Sequence, residues 1–482
     1  MLALAGAPIV ALALLVTLGS CDASQTKVCI VGSGIGGASA AHFLRKYSGR
    51  PQNELHIHVY ERNSVVGGRM AMVDLLGDRF EAGASILHPK NLHTVHFVGL
   101  LGLKKKTSPD SETFGLWDGK KFVVRTMDGG SSFITKKIAG LINALGMLWR
   151  YGSDLFRMRS FVSQLLKRFL HFYDEGRTPY SSVKDMLESV ELYGYTQHTL
   201  VRELLREGLS VQIITEIVTM ITRINYGQNV SISGLAGAVS LCGSGDDLWA
   251  VEGGNWQMAD GLIKLSNASL GLSDTVLSVV SKDGVYEVTS SSGKNRTCNA
   301  VIIAASLDEE KIVFSPSVDL PKRSMHHTFV TFVRGLVSRD YFGLKDAKLP
   351  DLIATLEVPG IPFISISVLK SYNATDNAYK VFSRASLSDE FLDKLFSVRR
   401  KTIRLNWAAY PQYNAPETFA PVILDGNHLY YVNSFENAAS TMETSAVAAE
   451  NVARLLLTRL STDGAVFNSG LNTMAKRGSE EL

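Results

Sequence analysis

An α/β fold that opens on a doubly wound parallel sheet and carries an inserted α+β region is what this sequence predicts. Three observations carry that reading. A short apolar strand runs straight into a glycine-rich turn and a small-residue helix, amphipathic helical periodicity takes over in the middle of the chain, and alternating strand character returns after it. At 482 residues the chain is too long for one simple core.

The first segment, 1–23, reads as a signal peptide, because an uncharged apolar run from Pro8 to Leu18 is followed by small and polar residues up to Ala23. It is too short to span a bilayer, and its n-region has no Lys or Arg. An uncleaved anchor and a buried N-terminal strand stay open as alternatives. The formal net charge is +3, and no basic run interleaves with aromatics, so nucleic acid is not an expected partner. After cleavage Cys29, Cys242 and Cys298 remain, a set whose odd number and wide spacing suggest neither a disulfide framework nor a metal site. His56 and His58 share a strand face, but no third ligand accompanies them. Four sequons, at Asn229, Asn267, Asn295 and Asn373, become glycosylation acceptors if the chain enters the secretory pathway.

Lys27 to Val31 is a buried-strand pattern, followed by Gly32, Gly34, Gly36 and Gly37 and a helix from Ala38 to Tyr47. Gly32, Gly34 and Gly37 fall at G-x-G-x-x-G spacing, where glycine permits a tight turn, close approach to a pyrophosphate and tight helix-to-strand packing. A second strand, Leu55 to Tyr60, ends at Glu61, the place for a carboxylate that accepts ribose hydroxyls. From Ser131 to about Thr219 the period is helical, with amphipathic stretches at Phe133 to Trp149, Phe161 to Phe172 and Leu200 to Leu209. Strands are expected at Thr275 to Val280, Val285 to Thr289, Ala300 to Ala304, Thr328 to Val333, Phe363 to Leu369, Tyr379 to Arg384 and Leu429 to Asn433, with a last helix from Glu443 to Leu460. The expected division is a nucleotide-binding domain in three segments (25–115, 241–320 and 425–460), substrate-domain segments at 116–240 and 321–424, and a disordered tail at 461–482.

Val66-Gly67-Gly68-Arg69-Met70 resembles the Gly-Gly-Arg element of glutathione-reductase-like and amine-oxidase-like FAD proteins, in which glycine backbone and guanidinium hold the FAD diphosphate. Read alone, it is also a turn with a solvated arginine. Two further segments resemble the rest of that FAD shell. One leads from Glu252-Gly253-Gly254 to Val276, which would meet the adenine. The other is the closing block with Asn433, Glu436, Thr441 and Met442, where a helix N-terminus would face the flavin. The resemblance implies a Rossmann-type FAD-binding domain with an inserted substrate domain.

Beyond that superfamily the chain resembles the prenylcysteine oxidases, and among them the plant-type farnesylcysteine lyases. The stretches that carry this are Phe80 to Pro89, Thr222 to Gly227, Val251 to Met258 and Phe435 to Asn451. Ala84 departs from the family pattern, standing where a second glycine is expected. The resemblance implies oxidation of farnesylcysteine by O2 through FAD, giving farnesal, cysteine and hydrogen peroxide, in a lysosome or vacuole. Peripheral membrane contact is left open. Such chemistry calls for a dry apolar tunnel, with the helical insertion as candidate wall, though its stripes read equally well as ordinary core. His88 is the candidate for positioning water, with a satisfied structural histidine as the competing reading, and Glu81 is a candidate for cofactor contact. An amine or polyamine oxidase and a non-catalytic prenyl carrier are the alternatives.

Overall fold

The computed structural model describes residues 25–49, 54–107, 113–130, 132–244, 247–344 and 347–477. The expected signal peptide lies outside the described residues.

The strand β1 (Thr26–Val31) is apolar and buried from Val28 onward, as a central parallel strand covered on both faces must be. It pairs in parallel with β2 (Leu55–Tyr60) on one side and with Ala300–Ile303 on the other. Leu429–Tyr431 and Ser269–Gly271 complete a five-stranded, all-parallel sheet. The helix α1 (Ile35–Ser48) crosses between β1 and β2 and packs its alanine-rich face on this sheet, beside the closing helix. It stops at Gly49, whose left-handed φ of 59° suits glycine at a helix end.

Strand Phe114–Trp117 takes the chain into a seven-stranded sheet, ordered Phe396–Pro411, Met325–Val337, Asp376–Ser383, Phe363–Asn373, Leu352–Thr355, Phe114–Trp117, Phe122–Arg125. Its edge strand, Phe396–Pro411, has no counterpart among the strands expected from sequence. Arg399, Arg400, Lys401 and Arg404 hide its alternation, and cationic side chains of this kind are how an exposed edge avoids pairing with another chain. The closing helix runs Met442–Arg477, past the expected end at Leu460, so the tail expected to be disordered is helical as far as Arg477.

Cys29 and Cys298 are joined by a disulfide with Cα atoms 5.9 Å apart, which corrects the expectation that the cysteines offer no staple. They lie 269 residues apart in sequence, and they meet because Ala300–Ile303 pairs in register with β1, Cys29 opposite Val301. Cys298 therefore ends the preceding strand beside Cys29.

Candidate functional site

A cavity of about 740 Å³ opens where the parallel sheet, the edge of the seven-stranded sheet and the helical region meet. At its polar end stands the glycine turn. Gly32 has φ +105°, and a Cβ there would sit 2.8 Å from the carbonyl oxygen of Ala304. A Cβ on Gly37 would come within 1.9 Å of the Gly32 carbonyl oxygen. That glycine lets helix and strand touch, and it lies off the cavity wall.

Gly34 is different. Its backbone is extended, open to any residue, and a Cβ would meet no protein atom closer than 3.9 Å. Packing within the chain does not require glycine here, yet Gly34 lines the cavity and begins a 14-residue helix with no side-chain cap. Uncapped amide donors beside space kept clear of a methyl group fit a diphosphate. Gly67 and Gly68 have φ +123° and +55°; Gly67 bridges to Gly34 from the facing turn, and a Cβ on Gly68 would sit 3.3 Å from the Gly34 Cα. Gly36 also lines this wall.

Glu61, buried at the end of β2, lines the same end of the cavity with Val276. One carboxylate oxygen accepts from the backbone N–H of Ser33 at 3.0 Å and its hydroxyl at 2.6 Å, the other from the backbone and side-chain N–H of Asn63 at 2.9 and 2.7 Å. The Ser33 hydroxyl and Asn63 amide are exchangeable partners, so a ligand diol can take their place on the carboxylate.

Arg69 lines the cavity and donates through Nη1 to the Ala409 carbonyl at 2.8 Å, while the same nitrogen lies 2.5 Å from Glu436 Oε1. Glu436 sits behind Arg69, away from the cavity wall, and its second oxygen meets Arg323 at 3.0 Å. Burial alone would raise its pKa, but the two guanidinium groups outweigh that and hold it below the usual carboxylate range. Glu436 thus holds Arg69 in place and, contrary to its expected place among the cofactor-binding residues, does not itself reach the cavity wall. Asn433, Thr441 and Met442 do reach the wall. Thr441 caps the closing helix, accepting from the Thr444 N–H at 3.0 Å.

The opposite end is apolar. Leu165, Leu166 and Phe169 of the helix Asp154–Leu170 line it together with Leu192, Leu235 and Val239. The helix before it, Phe133–Tyr151, contributes nothing to this wall. Its apolar stripe, expected to wall the tunnel or join the core, faces outward. Cys242 borders the apolar part, its thiol pushed up to about 11 by burial.

His88 lines the cavity, half-buried, with its pKa lowered chiefly by burial. Its Nδ1 accepts the Lys90 N–H at 3.0 Å, which fixes the hydrogen on Nε2. Glu81 is not on the wall. It accepts the Asn255 N–H at 2.7 Å, burial raises its pKa to about 7, and the buried Lys380 donates to its carbonyl at 3.0 Å. Sequence reasoning missed Tyr410, Asn406 and Trp407, which reach the cavity from the unexpected edge strand, and Arg223, whose guanidinium donates to the Thr355 carbonyl at 2.6 Å. Only Arg223 lay within a stretch singled out in the sequence. Among the described residues no group of three or more His, Cys, Asp or Glu is placed to hold a metal.

Residues 134–468 match the family model described as prenylcysteine lyase. A farnesylcysteine lyase from Arabidopsis thaliana is 50% identical over 456 residues, covering 93% of this chain and 91% of the relative. The chain belongs to the prenylcysteine lyase family. A prenylcysteine oxidase 1 from Bos taurus is 32% identical, with 90% and 88% covered. Residues 30–99 match an NAD(P)-binding Rossmann-like domain, a span running from β1 through the glycine turn to the helix Leu92–Leu100. In fold the chain is similar to the cyclohexylamine oxidase from Brevibacterium oxydans, with a TM-score of 0.61 at 16% identity over 91% of this chain and 100% of that one. A putrescine oxidase structure gives 0.60 at 13%, with 90% and 99% covered. The Rossmann-like match takes in the glycine turn, Glu61 and Arg69 at the polar end, while the prenylcysteine lyase match takes in the apolar wall, Val276 and the closing block.

Proposed function

We propose that this enzyme oxidises the thioether of farnesylcysteine, with FAD as cofactor, O2 as oxidant and water as co-substrate, to farnesal, cysteine and hydrogen peroxide. The observation that carries the reading is the continuity of a glycine-walled nucleotide cradle with an apolar chamber in a member of the prenylcysteine lyase family. Bound FAD supplies a hydride acceptor that passes its electrons to O2. The amides around Gly32, Gly34, Gly67 and Gly68 are assigned to the diphosphate, Glu61 to the ribose and Val276 to the adenine. Arg69, kept in place by Glu436, adds positive charge to the same wall. Asn433 and the Thr441–Met442 helix start are assigned to the pyrimidine end of the ring system.

The prenyl carbon next to sulfur is allylic. Loss of hydride leaves charge shared by sulfur and the double bond, water adds at that carbon, and the hemithioacetal collapses with the thiol leaving. Leu165, Leu166 and Phe169 shield that centre from bulk water and fit an isoprenoid chain. His88, with its hydrogen on Nε2, is assigned to hold the attacking water.

The fold likeness to amine oxidases supports a second reading, oxidation of an amine. Incubation of the purified enzyme with farnesylcysteine, and separately with putrescine and cyclohexylamine, separates the two. Equal amounts of farnesal, free thiol and peroxide from farnesylcysteine are expected, and peroxide from the amines alone would overturn the assignment.

Residence in the secretory pathway, at a lysosome or vacuole, is part of the proposal. The Cys29–Cys298 bond supports an oxidising compartment, and exposed sequon asparagines at 267, 295 and 373 are open to glycosylation.

A further inference from the structure

The helix Phe133–Tyr151 is amphipathic the wrong way round for a globular protein. Its inward side carries Lys136, Ala139, Asn143, Met147 and Arg150, and it is pinned there by polar contacts. Asn143 accepts the Met127 N–H at 2.8 Å, and Arg150 meets both oxygens of Glu216 at 2.7 Å. The outward side presents Ile134, Ile138, Leu141, Leu145, Leu148 and Trp149, at spacings of four and three residues that keep them on one face. Ile134 is 68% exposed, Leu141 62% and Trp149 88%, and Phe156, opening the next helix, is 62%. Single exposed apolar side chains are ordinary, but a continuous face of this length is not.

Charge says what covers it. Residues 133–170 contain seven Lys or Arg and one acidic residue, Asp154, while the whole chain is only +3. The rest of the protein is therefore net negative. Arg150, Arg157 and Arg168 lie in ion pairs with Glu216, Asp154 and Glu191, and Lys137, Arg159 and Lys167 are exposed on the same two helices. No described helix is long and apolar enough to cross a bilayer. A face of this composition lies in the plane of a membrane, its large apolar groups among the acyl chains and its cations against anionic headgroups.

We propose that the helix Phe133–Tyr151 docks the enzyme on the surface of a bilayer containing anionic lipid. The next helix lines the cavity with Leu165, Leu166 and Phe169, so docking sets the apolar chamber one helix away from the lipid. The surface rests on exposure and charge alone and does not depend on the identity of the substrate.

The test is sedimentation of the purified full protein with vesicles of phosphatidylcholine, with and without phosphatidylserine. Wild type is expected to sediment with the phosphatidylserine vesicles, and raising salt to about 0.5 M should weaken this by screening. The double variant Leu141→Glu, Leu145→Glu should bind at least about ten-fold more weakly, since moving even one such aliphatic group from water to hydrocarbon is worth that factor. Both side chains are exposed, so its melting temperature should match wild type. Independently of any variant, brominated lipid should quench Trp149 in the wild-type protein, and the quenching should vanish in Trp149→Phe. Failure of wild type to bind either vesicle, or equal binding by the double variant, would overturn the proposal. So would a wild-type dimer in solution that the double variant dissociates, because a second copy would then be the occupant.

Discussion

Substituting Gly34→Ala should separate cofactor binding from folding. The new Cβ meets no protein atom within 3.9 Å, and the backbone is extended, so the flavin-free variant should unfold within about 1 kcal/mol of flavin-free wild type. The methyl group projects into the cradle, where it must push the diphosphate away from the uncapped amides of α1. Loss of two charge-assisted hydrogen bonds, at about 1.5–3 kcal/mol each, corresponds to roughly 10²- to 10⁴-fold weaker FAD binding. Two assays check this: the flavin-to-protein ratio after purification, and the melting temperature of both proteins stripped of flavin. Comparing stripped forms matters because ligand binding itself raises stability. A flavin-replete Gly34→Ala enzyme of wild-type affinity would refute the placement of the diphosphate, and a stripped variant that unfolds would refute the packing argument.

Glu81 makes stability pH-dependent. Its folded pKa of about 7 lies above the ordinary value of 4.5, so its contribution is fully present below about pH 4.5 and is lost as pH rises toward 7, on the order of 2–3 kcal/mol. Glu417, raised by burial to about 7, acts in the same direction. Denaturant titrations at pH 5 and 7.5 should show wild type more stable at pH 5, with a smaller difference in Glu81→Gln; an unchanged difference would contradict the assignment. Replacing both Cys29 and Cys298 with Ala should lower the denaturation free energy by about 2–5 kcal/mol, the range for a cross-link closing a long loop, as read from denaturant midpoints under non-reducing conditions. Equal midpoints would mean that the bond contributes nothing.

The polar half of the site was legible because its chemistry is local in sequence. Gly32, Gly34 and Gly37 stand next to a strand and Glu61 ends the following one, so their spacing suggested one turn, while Gly67-Gly68-Arg69, six residues later, was read from its resemblance to the FAD proteins. The apolar half was not legible in that way. Leu165 and Phe169 line the cavity while Leu141 and Leu145 face outward, yet both sets show the same helical period. Periodicity shows that a face exists; the direction it points is set by tertiary contacts such as Arg150 with Glu216, 66 residues apart. The Cys29–Cys298 bond and the Glu436–Arg69 pair were hidden for the same reason, since both join residues hundreds of positions apart. Strand Phe396–Pro411 escaped because its edge position replaces the apolar alternation with arginine and lysine.

The central claim, that flavin and prenylcysteine meet in one cavity, is tested most directly by mixing the purified flavoprotein with farnesylcysteine in the absence of air and then admitting O2. The account predicts that the flavin absorption bleaches on mixing and returns with air, as farnesal and peroxide appear together. A flavin that stays oxidised in the presence of farnesylcysteine would contradict it.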